Sequence, residues 1–156
     1  MHRDPGLKRI VQVAIVCRDI EATSKRWAAL LDITPPEIFT ARPGLETKMI
    51  FRGRPSDARA KLAFMDGGSC QIELIQPLGP ESSWQEAFDA NGESIHHLGF
   101  HVKNLKKSLE TCQSLGLAIL HQGRYGGDDG SYVYLDTQAK LGAVIELLHS
   151  DGDGEH

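Results

Sequence analysis

The chain has 156 residues, 40% of them apolar and 24% charged, which suits a folded globular protein and excludes wholesale disorder. Seventeen Lys and Arg against 21 Asp and Glu leave a net charge of −4, which argues against a general nucleic-acid binder with a basic stripe. No apolar run approaches the roughly 20 residues of a membrane span. The N-terminal MHRDPGLKR lacks the apolar core of a signal peptide. Three cysteines without a CxxC spacing, Cys17, Cys70 and Cys112, suit reduced thiols. The expectation is a cytoplasmic protein with a small-molecule partner and no nucleic-acid or membrane partner.

In chain order, the string QVAIVCRDIEATSKRWAALLDI, which opens on Gln12, predicts a strand followed by a helix. Strand candidates follow at Lys48–Arg52 and Lys61–Met65, separated by a loop at Gly53–Ser56, and a further one in CQIELIQ. Ser83–Ala90 predicts a short helix entered from Pro80. The string HLGFHVKNLKKSLETCQSLGLAI, which opens on His97, then repeats the strand–helix order 85 positions after Gln12. Asp19 and Asn104 fall at matching helix N-cap positions. Ile20, Trp27, Leu30 and Leu31 match Leu105, Cys112 and Leu115 at helical spacing. Ala118–His121 and Ser131–Leu135 flank a turn at Gly123–Gly130, and GAVIELLH closes the chain's last strand.

The pattern is βαβββ twice. It divides the chain into a first module at 8–76, a linker with a short helix at 77–94, a second module at 95–149 and a disordered tail at 150–156. The fold class is α+β, with the two tandem modules forming a curved mixed-sheet cleft. Each module ends on the same triplet, Ile72-Glu73-Leu74 and Ile145-Glu146-Leu147. A strand points alternate side chains to opposite faces, so each glutamate faces away from its apolar neighbours. If those neighbours pack under a helix, Glu73 and Glu146 face the concave side, and the same phase carries Gln12 and His97 there. Two carboxylates, an imidazole and an amide oxygen suit a divalent ion with positions left open for water or substrate.

The strings QVAIVCRDIEA, CQIELIQPLGPES, IHHLGFHVKNL and LGAVIELL resemble the vicinal-oxygen-chelate superfamily, which includes glyoxalase I, methylmalonyl-CoA epimerase, ring-cleaving dioxygenases and bleomycin-resistance proteins. The resemblance spans about residues 8 to 149 and implies four metal ligands, carried onto Gln12, Glu73, His97 and Glu146. The ligand types match eukaryotic-type glyoxalase I at all four positions. The linker PLGPESSWQEAFDANGESIHHLGF and the hairpin GRYGGDDGSYVYLDT resemble the epimerase branch instead. The glutathione-binding arginine of glyoxalase I has only Arg26 as a loose counterpart. The second base of epimerases falls at Glu46, Thr47 or Lys48. Both branches remain open at this point.

The resemblance implies a divalent ion (zinc, nickel, cobalt, manganese or iron), a homodimer, and removal of a proton beside a carbonyl with the enediolate or enolate held by the ion. Glu146 and Glu73 are the catalytic candidates as bases. His101, Arg124, Tyr132 and Tyr134 are expected to contact substrate. Gly126, Gly127 and Gly130 are expected to let the second hairpin act as a lid. Arg42, Arg52, Arg54 and Arg59 are candidates for a basic mouth. His96 is expected to be structural or exposed, Trp27 to pack the first helix, and Trp84 to anchor the linker. The alternative is a metal-free small-molecule or antibiotic-binding protein of the same fold. Against it stand the intact quartet and an aromatic content of only 6%. An oxygen-using ring-cleaving enzyme is disfavoured by Glu73, where a histidine is expected.

Overall fold

The computed structural model describes residues 4–153. It is an α+β fold in which ten strands form one curled mixed sheet, a half-barrel, carrying four helices. The chain opens with β1 (Ile10–Val16), whose β-branched residues favour an extended backbone. Helix α1 (Ile20–Leu31) follows. Asp19 caps it by accepting a hydrogen bond from the Ala22 amide, and Asp32 ends it in the left-handed conformation at φ 54°. Next come β2 (Phe39–Thr40), β3 (Ile50–Phe51), β4 (Arg54–Pro55), β5 (Ala60–Asp66) and β6 (Gln71–Pro77). The linker helix α2 (Ser83–Asn91) is capped by Ser82 through the Gln85 amide. The second half runs β7 (Ser94–His101), α3 (Leu105–Ser114), β8 (Ile119–Tyr125), β9 (Gly130–Leu135), α4 (Gln138–Leu141) and β10 (Val144–Ser150). Asn104 caps α3 through the Lys107 amide, as Asp19 caps α1.

The strand order is β2-β5-β6-β1-β7-β10-β9-β8-β3-β4. At its centre β1 and β7 pair antiparallel, and each has its own module's last strand, β6 or β10, parallel on its outer side. The two halves are therefore related by a pseudo-twofold between β1 and β7. On the convex side, α1 packs Ile20 onto Ala63, Met65 and Leu74, with Trp27 against the same cluster. The equivalent cluster under α3 holds Cys112, Val133, Leu135 and Leu147. A third cluster lies on the concave side and includes Ala14, Val16, Ile75, Trp84, Tyr132 and Tyr134.

The middle of the first module departs from the expected repeat. Only Ile50–Phe51 of the expected Lys48–Arg52 strand is extended, because Lys48 and Arg52 both adopt positive φ, 56° and 49°. That short strand pairs with β8 of the second half, Ile50 with Gln122 and Phe51 with His121. Residues 41–59 thus leave β2 at one margin of the sheet and reach the other. Eight strand intervals would separate β2 from β3 by about 38 Å if the sheet were flat. The ten Cα steps between them reach at most about 36 Å, and they are partly folded into turns. The crossing is possible because the sheet curls.

Strand β8 runs to Tyr125, through the first three residues of the stretch expected to be a turn. A Cβ at Gly130 would stand 2.2 Å from the Tyr125 ring, so the glycine there makes room for a cross-strand aromatic. The tail expectation is corrected at its start. Ser150 ends β10, and Asp151–Asp153 form a 3₁₀ turn whose Asp151 pairs with Arg124 at 2.5 Å. Residues 154–156 lie outside the described residues. None of the described helices is long and apolar enough to cross a membrane.

Leu74 is fully buried under α1. Leu74→Ala is expected to cost about 2–5 kcal/mol of unfolding free energy, measured by urea denaturation. A loss below about 1 kcal/mol would show that α1 does not close over this cluster.

Candidate metal centre

The concave face encloses a cavity of about 650 Å³. Its floor is made by the central strands. Gln12 of β1, Glu73 of β6 and Glu146 of β10 line it, and His97 of β7 is fully buried against them. The alternation of Ile-Glu-Leu explains the two glutamates. Ile72 and Leu74 belong to the cluster under α1, and Ile145 and Leu147 to the cluster under α3, so the residue between each pair faces inward. His97 Nε2 lies 2.9 Å from Gln12 Oε1, 3.2 Å from Glu146 Oε1 and 3.6 Å from Glu73 Oε1. The Gln12 amide nitrogen donates to Gln71 Oε1 at 2.8 Å, which turns its oxygen toward the histidine.

Burial governs the charges of this group. Both carboxyls are held well above the usual range by desolvation, and Glu73 also by the charge of Glu146. A hydrogen bond from Tyr134 works against the rise at Glu146. Desolvation pushes His97 and His121 down to about 3, and His96 well below its ordinary value. Glu146 Oε1 is buried without a hydrogen-bond partner, an unusual and costly state for a carboxylate oxygen. A Cβ at Gly99 would stand 2.8 Å from that oxygen and 3.1 Å from the Gln12 Cβ, so the strand must carry glycine beside the group.

The other expected site residues are placed as follows. Tyr132, Tyr134 and Arg124 line the cavity. The Arg124 guanidinium is already engaged by Ser131 Oγ and Asp151 at 2.5 Å each and by the Asp128 carbonyl. His101 does not line the cavity; it keeps the phase of His97 but stands exposed at the end of β7. Thr47 faces the cavity while Glu46 is exposed. Arg42 and Arg59 reach the wall, whereas Arg52 pairs with Glu86 instead. Arg54 and Arg26 are exposed and do not line the cavity. At the tip of the hairpin expected to act as a lid, Arg42 donates to Asp128 at 2.8 Å and to the Gly126 carbonyl at 3.2 Å.

Sequence reasoning missed His96, Ser83 and His121, which form a buried polar chain behind His97. The reason is local. Between Ala14 and Ile15 the pairing of β1 with β7 slips by one residue, a β-bulge that leaves His96 as the extra residue. Strict alternation would put His96 on the helix face. The bulge instead turns both rings inward, where each lies within 5 Å of the Tyr134 ring.

A match to the family model for the glyoxalase/bleomycin resistance protein/dioxygenase superfamily covers residues 11–135. The chain belongs to that superfamily. A curated Bacillus subtilis protein, the uncharacterized YqjC, is 24% identical over 98 residues, covering 62% of this chain and 70% of the relative. A variant of Streptomyces coelicolor methylmalonyl-CoA epimerase, solved with 2-nitronate-propionyl-CoA, superimposes with a TM-score of 0.66 at 22% identity, covering 93% of this chain and 99% of that one. The Mycobacterium tuberculosis methylmalonyl-CoA epimerase gives 0.66 at 18% identity, covering 96% and 93%. A hypothetical protein of Bacillus halodurans gives 0.67 at 18% identity, covering 95% and 98%. These likenesses establish the glyoxalase-type fold; at such identity they leave the reaction open.

The buried ionisable groups give a pH signature for protein stripped of divalent ions. A histidine that is neutral when folded but titrates at 6.5 when unfolded lets the unfolded chain bind more protons, so stability falls as pH drops from 6.5 toward 3. The carboxyls act oppositely above 4.5, because there the folded chain holds the extra proton. Three imidazoles outweigh two carboxyls between 4.5 and 6.5, and only the carboxyls act above it. Unfolding free energy is therefore expected to peak near pH 6.5 and to fall on both sides, by up to about 1.4 kcal/mol per pH unit per proton. A profile flat from pH 7 to 4.5 would contradict burial of neutral histidines.

Proposed function

We propose that this chain is a divalent-metal-dependent isomerase or lyase that removes a proton from a carbon next to a carbonyl. The observation that carries the proposal is the convergence of the Gln12, Glu73 and Glu146 oxygens, at the cavity floor, on the buried Nε2 of His97. Donor atoms around one ion at about 2.1 Å lie roughly 3.0 Å apart when octahedral and 3.4 Å apart when tetrahedral. Of the separations from His97 Nε2, 3.2 Å falls inside that range, and 2.9 and 3.6 Å fall outside it by 0.1 and 0.2 Å. A cluster of His, Cys, Asp and Glu alone is not formed among the described residues. The fit rests on the mixed set that includes the Gln12 amide, on the orphaned Glu146 Oε1, and on the space that Gly99 leaves beside it.

When bound, the ion supplies Lewis acidity toward a substrate carbonyl and the enediolate or enolate it becomes. The chain supplies the rest. Glu146 and Glu73 are the bases, and their raised proton affinity suits a general base better than an ordinary carboxyl's. Tyr134 steadies Glu146, and the Trp84 indole N–H in turn donates to the Tyr134 hydroxyl at 3.1 Å. Phe39, Leu62, Phe64 and Leu148 form apolar walls that limit water around the base. A homodimer in a reducing cytoplasm goes with this reading; the three unpaired cysteines suit the compartment.

Among the described residues, Glu73 and Glu146 are the acidic side chains lining the cavity, and both stand on the floor. The wall where an epimerase's second base is expected carries Thr47, whose hydroxyl donates to the Gly44 carbonyl at 3.2 Å. Proton removal and return at one face, as in glyoxalase chemistry, is the branch this supports. With a 2-substituted acyl thioester in deuterated water, exchange at the α-carbon is expected with retained configuration. Inversion as fast as exchange would restore the two-base epimerase reading.

The cavity's aromatic walls favour one second reading, a metal-free small-molecule binder. Elemental analysis of protein purified without chelators separates the two. Near-stoichiometric zinc, nickel, cobalt, manganese or iron is expected, and the Glu73→Ala/Glu146→Ala protein should lose it. Glu146→Gln should stay folded and lower turnover of a hemithioacetal or acyl thioester at least about 100-fold. Absence of metal from both proteins after reconstitution would leave the binder.

A further inference from the structure

Among the described residues, the cations lining the cavity are Arg42, Arg59 and Arg124. Two of them are already satisfied within the protein. Arg42 is paired with Asp128, and Arg124 with Asp151 and the Asp128 carbonyl. Arg59 differs. Among the described residues its guanidinium has no hydrogen bond and no ion pair. The acidic side chains that line the cavity, Glu73 and Glu146, both stand on the floor and leave the wall without a counter-charge. Arginine's planar fork matches the paired oxygens of a carboxylate or a phosphate. Arg59 is exposed, so an anion reaches it from solvent, and the attraction is screened by salt.

The register of β5 and β6 places Arg59 relative to the quartet. Phe64 stands opposite Glu73, and the Arg59 carbonyl accepts from the Leu78 amide at 3.0 Å. Five residues of this ladder, about 17 Å at roughly 3.4 Å per residue, separate the two rows. Between them Leu62 and Ile75 form a cross-strand pair, and both line the cavity. Phe39 of β2 pairs with Leu62, and its ring lies 5.8 Å from that of Phe64. Along this wall the cavity runs from the polar quartet, across an apolar strip, to an uncompensated cation.

We propose that Arg59 is a specificity-determining residue for a carbonyl substrate whose apolar chain ends in an oxyanion, a carboxylate or a phosphate. The carbonyl head lies at the quartet, the chain covers Leu62 and Ile75, and the oxyanion takes the N–H groups of the Arg59 fork. A polar chain in the same place loses its water against the strip without gaining partners there. A short chain engages one end only. The head end rests on the function proposed above and names its substrate class. The anion end depends on Arg59 and the apolar strip alone, so the two are separable by experiment.

The experiment is isothermal titration calorimetry with hydroxamates, whose paired oxygens suit a divalent ion. The probes are the monohydroxamates of succinic, suberic and dodecanedioic acid, each beside its methyl ester. They are titrated into Zn²⁺-loaded and metal-free protein at low salt. The two longer acids are expected to bind about 10-fold more tightly than their esters, and the succinic compound no more tightly than its ester. Added salt should shrink the preference. Arg59→Gln should bring the ratio of acid to ester to about one. Arg59→Lys, which keeps the charge but not the fork, should retain part of it. The ω-phosphate counterpart of the suberic compound runs alongside, and the tighter of the two names the oxyanion. An acid-to-ester ratio near one in the parent, or a preference that survives Arg59→Gln, would overturn the proposal, even where Zn²⁺-dependent hydroxamate binding upholds the metal centre. An Arg59-dependent preference in a protein that takes up no divalent ion would uphold the anion subsite and overturn the metal-dependent function instead.

Discussion

The antiparallel pairing of β1 with β7 is the constraint on which the rest of the molecule depends. It joins the two halves through their first strands, sets Gln12 beside Gly99 and places Ala14 opposite His97. Each first strand then recruits its own module's last strand in parallel, which brings Glu73 and Glu146 to flanking positions. Four side chains from sequence positions more than a hundred residues apart at the extremes meet because two strand pairs share one central ladder. A slip of one residue in this ladder would turn one module's pair of donors onto the helix face. The ladder slips at two places, between Ile10 and Gln12 and at the bulge at His96; the second adds a ring to the concave side without disturbing the phase of His97.

The price of this convergence is electrostatic. Buried oxygens crowded around one neutral imidazole without a cation repel one another, and each has given up its water. The raised carboxyls, the depressed histidines and the orphaned Glu146 oxygen are three expressions of the same cost. It is carried by apolar packing elsewhere, in the clusters under α1 and α3, which lie on the other side of the sheet. Locally unfavourable groups held by a well-packed scaffold are the usual physical mark of a functional site.

The segment between β2 and β5 gives the cavity its enclosure. By crossing to β8 it puts Thr47 and Met49 over the concave face, and Arg124's own amide donates to the Thr47 carbonyl at 2.8 Å. The arginines near the mouth are largely engaged within the protein: Arg42 with Asp128, Arg124 with Asp151. The entrance is thus less basic than a count of its arginines implies. The enclosed volume is shaped by aromatic and aliphatic walls above a polar floor, the usual form of a small-molecule site.

Periodicity and repetition made much of this legible in the amino-acid sequence alone. The duplicated βαβββ pattern, the caps at Asp19 and Asn104 and the inward phase of Glu73 and Glu146 all follow from residue spacing, because strand alternation and helix capping are local rules. The resemblance to the superfamily rested on the same strings. Three things were not legible, and each depends on partners remote in sequence. The pairing of Ile50–Phe51 with β8 depends on the curl of the whole sheet. The inward turn of His96 depends on a register slip between two strands some 80 residues apart. The position of His101 beyond the cavity depends on where the wall ends, although its phase along the strand was right. Residue spacing dictates which side chains each strand and helix offers to each face. Which of those faces meet is a matter of register, curl and enclosure, and these are set by contacts between segments that no local spacing rule connects.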